Sequence, residues 1–323
     1  MKTWDNLGRT RFVFDAEALD SDLAQDPELE NLPSWIPDWT RWSSKDSEPL
    51  PSLTDEELRY WSSGKLRQVH FASDYDSNSS SLKLTGVLFD RITRLARPWT
   101  PEPHLLPVDR LQNKSLQEWE GLATVTFPDC PYENLGGRYN AYWRTHIADY
   151  AGTRSATDRD KNYFEAWFNR GAWDSRVHDD FSATDKSNWH KVKAREQQIL
   201  SNMCLWMFKM GHETASKNPW TNTKLLPQIF TKYKEIRKRI HSASIGRAMF
   251  ITSKGFIGLG PWNAQERDLV SVLFGGCTPF LSRQVAGKEK YILVGETYVY
   301  GIMGGELFNG EMGHPRLRTF EIV

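Results

Sequence analysis

Apolar positions along the chain recur with two different periods, and the period changes near residue 247. Upstream, Trp143, Ile147 and Tyr150 stand at i, i+4, i+7, and the pattern returns in Ile199, Met203, Trp206 and Met210 and in Ile229, Tyr233, Ile236 and Ile240. Each set makes one apolar stripe along a helix with 3.6 residues per turn. From Arg247 onward, short β-prone runs take over: Ala248–Thr252, Leu269–Phe274, Tyr291–Val294 and Thr297–Tyr300. Ser253-Lys-Gly255 and Phe274-Gly-Gly-Cys-Thr-Pro279 punctuate them as turns. Short strands joined by tight turns predict an antiparallel meander or a small barrel.

The N-terminal third is less periodic. Leu82, Leu84 and Val87–Phe89 follow Phe71-Ala-Ser73 across the polar stretch Asp74–Ser81, which predicts a β-hairpin. Thr54-Asp-Glu-Glu57 has capping-box spacing and predicts the start of a short helix. In Leu32-Pro-Ser-Trp-Ile-Pro-Asp-Trp-Thr40, two prolines four residues apart forbid a regular helix and favour an extended segment pinned by its aromatic rings. Pro98–Pro107, with four prolines, reads as a connection, and residues 152–191 read as a long, partly irregular polar insertion. The expected fold class is α+β: central helices packed on a C-terminal antiparallel β meander or small barrel, with an N-terminal β-hairpin. One domain with two lobes is expected, in three parts: 1–107 extended and hairpin, 108–245 helical, 246–323 β-rich.

Composition narrows the function classes. The 323 residues hold 41 basic and 41 acidic side chains, so no global field draws the chain to nucleic acid or an anionic membrane. The basic run Lys232–His241 reads as the solvated face of a helix. Three cysteines, far apart and odd in number, argue against a disulfide framework. No signal-peptide core and no apolar run of membrane-spanning length is present, so a cytoplasmic protein is expected. Aromatic residues make up 13% of the chain and include 14 Trp. They serve as core anchors or as the walls of an apolar pocket.

The stretch Arg247–Glu306 carries a resemblance. Arg247, Phe250, Thr252, Gly255 and Gly258-Leu-Gly-Pro261 are followed by Gln265, Asp268, Val270, Gly275-Gly276 and Pro279-Phe280. Tyr291-Ile-Leu-Val-Gly-Glu-Thr-Tyr-Val-Tyr-Gly-Ile-Met303 and Gly305-Glu306 complete it. Together with Leu32–Trp39 and with Ala141-Tyr-Trp-Arg-Thr145 and Asp149, these blocks resemble, in order, the C-terminal region of fungal heterokaryon-incompatibility proteins. Two positions depart from that pattern: Tyr300 stands where the family often has His, and Arg267 where it often has Gly. Residues 1–31 show none of the motifs of the family's N-terminal effector domain, so the effector's activity is not carried over.

Candidate chemistry is sparse. Gly255-Phe-Ile-Gly-Leu-Gly260 looks like a phosphate loop, but strands and Pro261 follow it rather than a helix, so it reads as a hairpin turn. His146 and Asp149, at i, i+3, are expected on one helix, where the carboxylate fixes the imidazole tautomer and raises its pKa. No third metal ligand is fixed, so neither metal nor cofactor is expected. A catalytic set of Arg144, His146, Asp149 and Tyr300 is conceivable, with Trp39, Trp143, Tyr298 and Trp206 lining a ligand pocket. Two functions stay open. One is binding of an apolar small molecule, extending to a cofactor-independent cyclase, isomerase or cycloaddition catalyst (a pericyclase) of fungal secondary metabolism, in which a shaped pocket holds one reactive conformer. The other, implied by the resemblance, is a regulatory or protein-interaction module without catalysis. Whether the chain is an enzyme, and its oligomeric state, are left undecided by the sequence.

Overall fold

Strand β4, Ser81–Leu95, is the longest strand of the computed structural model and the one from which the β architecture is built. The structure describes residues 3–4, 10–11, 34, 60, 62–63, 74–76, 81–99, 114–125, 130–150, 155–169, 225–309 and 315–323. The expected capping-box helix at Thr54, the stripe Ile199–Met210, and Trp39 and Trp206 lie outside the described residues. The short strands β1, Thr3–Trp4, and β2, Thr10–Arg11, pair with each other. A hairpin is present, with a tighter turn than expected: β3, Asp74–Asp76, falls in the stretch read as the polar turn and pairs antiparallel with the start of β4, Asp76 opposite Ser81, while the expected strand Phe71–Ser73 lies outside the described residues.

The C-terminal strands are β5 (Arg247–Thr252), β6 (Ile257–Pro261), β7 (Leu269–Leu273), β8 (Phe280–Gln284), β9 (Lys290–Glu296), β10 (Tyr298–Val299) and β11 (Leu317–Ile322). Four of them join β4 in a ring. β4 pairs β11 along Leu82–Val87 and β7 along Gly86–Arg91. β7 pairs β8, β8 pairs β9, and β9 meets β11 in parallel through Lys290 and Tyr291. Every strand of the ring contributes to one apolar cluster: Leu82, Leu84 and Leu88, Leu273, Phe280, Tyr291 and Leu293, Phe320 and Ile322. The expected small barrel is therefore present, in an α+β fold, and most of its pairings are antiparallel.

β4 then leaves the ring. Register shifts between Leu88 and Asp90 and between Ile92 and Arg94 bend it, as an extra residue on one strand does. Its last residues pair with β5, which continues through β6 to β10. All six residues of β5 are buried. The Gly-Leu-Gly of β6 serves close approach here. A Cβ on Gly258 would lie 2.4 Å from the Phe250 ring and 2.6 Å from the Tyr298 carbonyl, and one on Gly260 2.7 Å from Leu281. Only Gly255, with φ +85°, sits in the turn that was expected to use the whole motif.

The parallel seam between β9 and β11 is short, and Ser34 bridges it. Its N–H donates to the Val323 carbonyl at 3.0 Å, its hydroxyl donates to the same oxygen, and its Oγ accepts the Leu293 N–H at 2.9 Å. The Pro-flanked block thus meets the ring through its serine.

Four helices are described: α1 (Lys114–Ala123), α2 (Gly137–His146), α3 (Asp158–Asn169) and α4 (Leu225–Ser244). α4 carries the predicted stripe, with Ile236 and Ile240 buried. α3 lies inside the stretch expected to be irregular. Asp160 closes the start of this helix by reaching back, its carboxylate accepting both the Thr157 N–H and its hydroxyl at 2.8 Å. The expected run of α2 through Ile147 to Tyr150 is corrected. The helix ends at His146 because Ile147 and Ala148 turn back onto the Arg144 and Thr145 carbonyls and Ala148 and Asp149 adopt φ of 48° and 50°.

The chain divides into two compact units. One comprises Met1–Pro101, Glu118–Ala148 and Ser242–Val323, and the other Glu102–Gln117 and Asp149–His241. The first holds the ring and α2. In the second, Phe164 packs against Trp167 and Phe168, and the Arg239 guanidinium lies 4.0 Å over the Tyr150 ring.

Arg267, standing where the family often has Gly, has φ +76°. A left-handed backbone costs a residue with Cβ about 1–2 kcal/mol. Arg267→Gly is expected to raise stability by about 1 kcal/mol, read from the urea midpoint. An unchanged or lower midpoint would contradict this account of the position.

Candidate functional site

The corner of the ring unit that holds Tyr300 is built around Tyr132, which no sequence signal singled out. Its side chain is fully buried. The hydroxyl accepts the Ile257 N–H at 2.7 Å from β6 and donates to the Tyr300 carbonyl at 3.3 Å. Burial pushes this phenol well above its ordinary range, so it is a permanent O–H at any physiological pH. The Tyr300 N–H in turn donates to the Ile257 carbonyl at 3.1 Å. Nearby, Arg138 ties the start of α2 to the same region through Nη1 to the Gly255 carbonyl and Nε to the Ala123 carbonyl, both at 3.1 Å. One phenol thus fixes the backbone on both sides of the Tyr300 turn.

A line of rings leads outward from the sheet. Phe89 meets Phe256 edge-on at 4.9 Å, Phe256 meets Tyr132 at 5.7 Å, and Tyr132 meets Tyr300 at 5.5 Å. Phe89, Phe256 and Tyr132 are buried and Tyr300 is half-buried, so the line ends at the surface. Leu135 and Tyr139 are exposed apolar side chains of this region, and a Cβ on Gly301 would lie 3.8 Å from Leu135.

The other expected site residues occupy different surroundings. Trp143 is fully buried, its Nε1–H donating to Asn140 Oδ1 at 2.9 Å. The same Oδ1 accepts the Arg144 Nε–H at 3.1 Å, and the half-buried Arg144 guanidinium lies over the Trp143 ring at 4.7 Å. Tyr298 is buried in β10, edge-on to Tyr60 at 5.9 Å. A residue lining a cavity wide enough for a ligand keeps surface that a water-sized sphere can touch. Trp143, with 0% exposure, and Tyr298, with 1%, have essentially none.

His146 is placed against expectation. The imidazole is fully buried between the Trp119 ring at 5.2 Å and the Tyr142 ring at 4.7 Å. Desolvation lowers its pKa from 6.5 to about 3, where a carboxylate neighbour was expected to raise it. Asp149 lies beyond the end of α2 in left-handed backbone, so the two do not share one helix face. A neutral imidazole of such low basicity is a weak general base at pH 7.

The ring unit also contains two ion pairs that the motif residues explain. Arg247, fully buried, donates Nη2 to Glu296 Oε1 at 3.1 Å. Asp268 accepts Arg283 Nε at 2.8 Å and Nη2 at 2.9 Å, together with the Gln265 N–H. Among the described residues no group of three His, Cys, Asp or Glu side chains could hold a metal ion. No described helix is long and apolar enough to cross a membrane.

The burial of His146 has a pH consequence. Between pH 3 and 6.5 the unfolded chain binds a proton that the folded chain excludes, so stability rises with pH through that window and is level above it. Lowering the pH from about 7.5 to about 5 is expected to cost roughly 2 kcal/mol through this group, and His146→Leu to remove that part of the slope. Urea midpoints of both proteins at both pH values measure it. An identical pH dependence in the variant would refute the assignment.

Residues 228–314 match the Het-6 beta-barrel domain. Sixty-four residues of the chain are 42% identical to heterokaryon incompatibility protein 6, OR allele, of Neurospora crassa, a match covering 19% of this chain and 9% of that protein. The chain thus spans under a tenth of the length of this curated relative. No solved structure matches it. Strands β5 to β10 fall inside the matched segment, and β4 and β11 fall outside it. In residues 228–314 the chain is thus similar to the Het-6 β-barrel domain, and over 64 residues to a fungal heterokaryon-incompatibility protein.

Proposed function

We propose that this protein is a recognition module of the heterokaryon-incompatibility type that binds a partner without catalysing a reaction. One observation supports this reading above the others: the expected chemical groups Trp143, His146 and Tyr298 are packed in the core, whereas Tyr300, Leu135 and Tyr139 keep accessible surface. A binding face needs accessible aromatic anchors on a rigid base, and the Tyr132 hydroxyl supplies that base. The test is made in a filamentous fungus. Heterokaryons formed between a strain expressing the chain and a strain lacking it are expected to grow differently from controls. The double variant Leu135→Ser, Tyr139→Ser is expected to abolish the difference while its stability stays within about 0.5 kcal/mol. Equal growth with and without the native chain would sink the proposal.

A second reading is the holding of an apolar small molecule, extending to cofactor-independent cyclisation, isomerisation or cycloaddition. Tyr300 favours it, because its half-exposed phenol ends a buried line of rings, Phe89–Phe256–Tyr132, that holds it on a rigid base. Titration with a polyketide or terpenoid precursor, followed by intrinsic fluorescence, is expected to show saturable binding that Tyr300→Ala weakens about tenfold, the scale of one aromatic contact. Product formed at the same rate and with the same stereochemistry without the protein would exclude catalysis, and a flat titration would exclude the reading altogether.

A further inference from the structure

Strand β4 relates to the rest of the ring unit as an insert relates to its slot. Apart from β3, which pairs Ser81–Lys83, its partners are remote in sequence: Asp90 bonds Ser253, 163 residues away. Segment Ser242–Val323 provides both walls. β11 takes one edge of β4 along Leu82–Val87, β7 takes the other along Gly86–Arg91, and β5 takes Ile92–Leu95. The ladder runs on through Ala96 N–H to the Met249 carbonyl and Trp99 N–H to the Arg247 carbonyl, both at 2.9 Å. Val87, Phe89 and Ile92 of β4 are buried against these walls. The Het-6 match supplies β5 to β10 but not this strand.

Two side-chain positions make the slot selective. At Gly86 a Cβ would lie 2.5 Å from the Val272 carbonyl oxygen and 3.0 Å from the Leu273 Cα, both backbone atoms of β7 that have no freedom to move aside. Four residues on, the buried Asp90 carboxylate accepts the Ser253 hydroxyl and, at 2.8 Å, the Lys254 N–H, closing the turn after β5. The Lys254 ammonium donates to the Phe89 carbonyl at 2.9 Å and lies over the Phe89 ring. A strand with a larger residue at the first position clashes, and one without a carboxylate at the second removes the acceptor of the Ser253 hydroxyl and the Lys254 N–H.

We propose that Ser242–Val323 is a strand-accepting surface whose occupant is the segment Ser81–Leu95, and that it accepts this segment when supplied in trans as well as in cis. Recognition is by backbone pairing on both edges, by the glycine at position 86 and by the carboxylate at position 90. The partner defined by this chemistry is an extended peptide of β4 sequence, including the β4 of a second copy of the chain.

The experiment uses the full chain with a protease site inserted between residues 104 and 110, cleaved after folding. A fluorescent peptide of residues 80–97 is added in excess under mild urea, and the label eluting with protein is measured. Near-stoichiometric uptake of the native peptide is expected, with Gly86→Val and Asp90→Ala peptides each binding about tenfold or more weakly. No uptake of the native peptide, or equal uptake of all three, would overturn the proposal. If the cut chain unfolds, its two pieces refolded together from urea in the presence of excess of each peptide give the same two readings.

Discussion

A β-strand has two hydrogen-bonding edges, and every N–H and C=O along a buried one needs a partner. β4 meets that requirement over 15 residues by changing neighbours along its length, β3 and β11 first, then β7, and β5 afterwards. The two register shifts lie within its pairings with β7 and with β5, and such irregularities bend a strand as it passes from the ring toward β5. The burial of β5, the approach of Gly258 to Phe250 and the position of the Tyr300 turn all follow from where β4 directs β5.

The charged residues of the family-like motif belong to this frame rather than to a reaction centre. A buried arginine without a carboxylate is strongly unfavourable, and Glu296 meets Arg247 from the end of β9. Asp268 and Arg283 do the same for the turn that enters β7. Such pairs specify which strands become neighbours more than they stabilise the fold, since their attraction is largely offset by lost hydration. The Tyr132 hydroxyl plays the corresponding neutral part, joining α2's approach segment to β6 and to Tyr300.

Much of this was legible in the chain, and the misses have physical causes. The runs after Arg247 and the stripe of α4 signal by period alone, and both are found. The end of β4 was hidden because Asp90-Arg-Ile-Thr-Arg94 does not look like a buried strand. Asp90 is tolerated there because Ser253 and Lys254, far away in sequence, neutralise its demand for hydrogen bonds. α3 is legible in the chain despite its polar surroundings: Thr157-Asp-Arg-Asp160 and the spacing of Phe164, Trp167 and Phe168 spell a capped helix. The reverse error occurred at Ile147 and Tyr150, whose helical spacing continues past a helix that the left-handed Ala148 and Asp149 have already ended. Periodicity reports which residues are buried, and here both are buried outside any helix. The candidate site was the least legible part, because a His, a Trp and a Tyr look alike in sequence whether they line a cleft or fill a core.

Ser34 gives this architecture a temporal dimension. It stands 289 residues from the carbonyl it binds, and the seam it bridges is the shortest in the ring. Loop closure penalises such a separation only slowly, about 0.6 kcal/mol for each doubling of length, so the contact is thermodynamically affordable. Its effect is on the order of events. Contacts between distant residues form late, after local hairpins such as β7–β8 and β8–β9 have assembled, and they slow the folding of the chains that rely on them. The ring is therefore expected to pass through an open stage in which its hairpins exist and its circumference does not, with the serine of the proline-flanked block among the last groups to arrive.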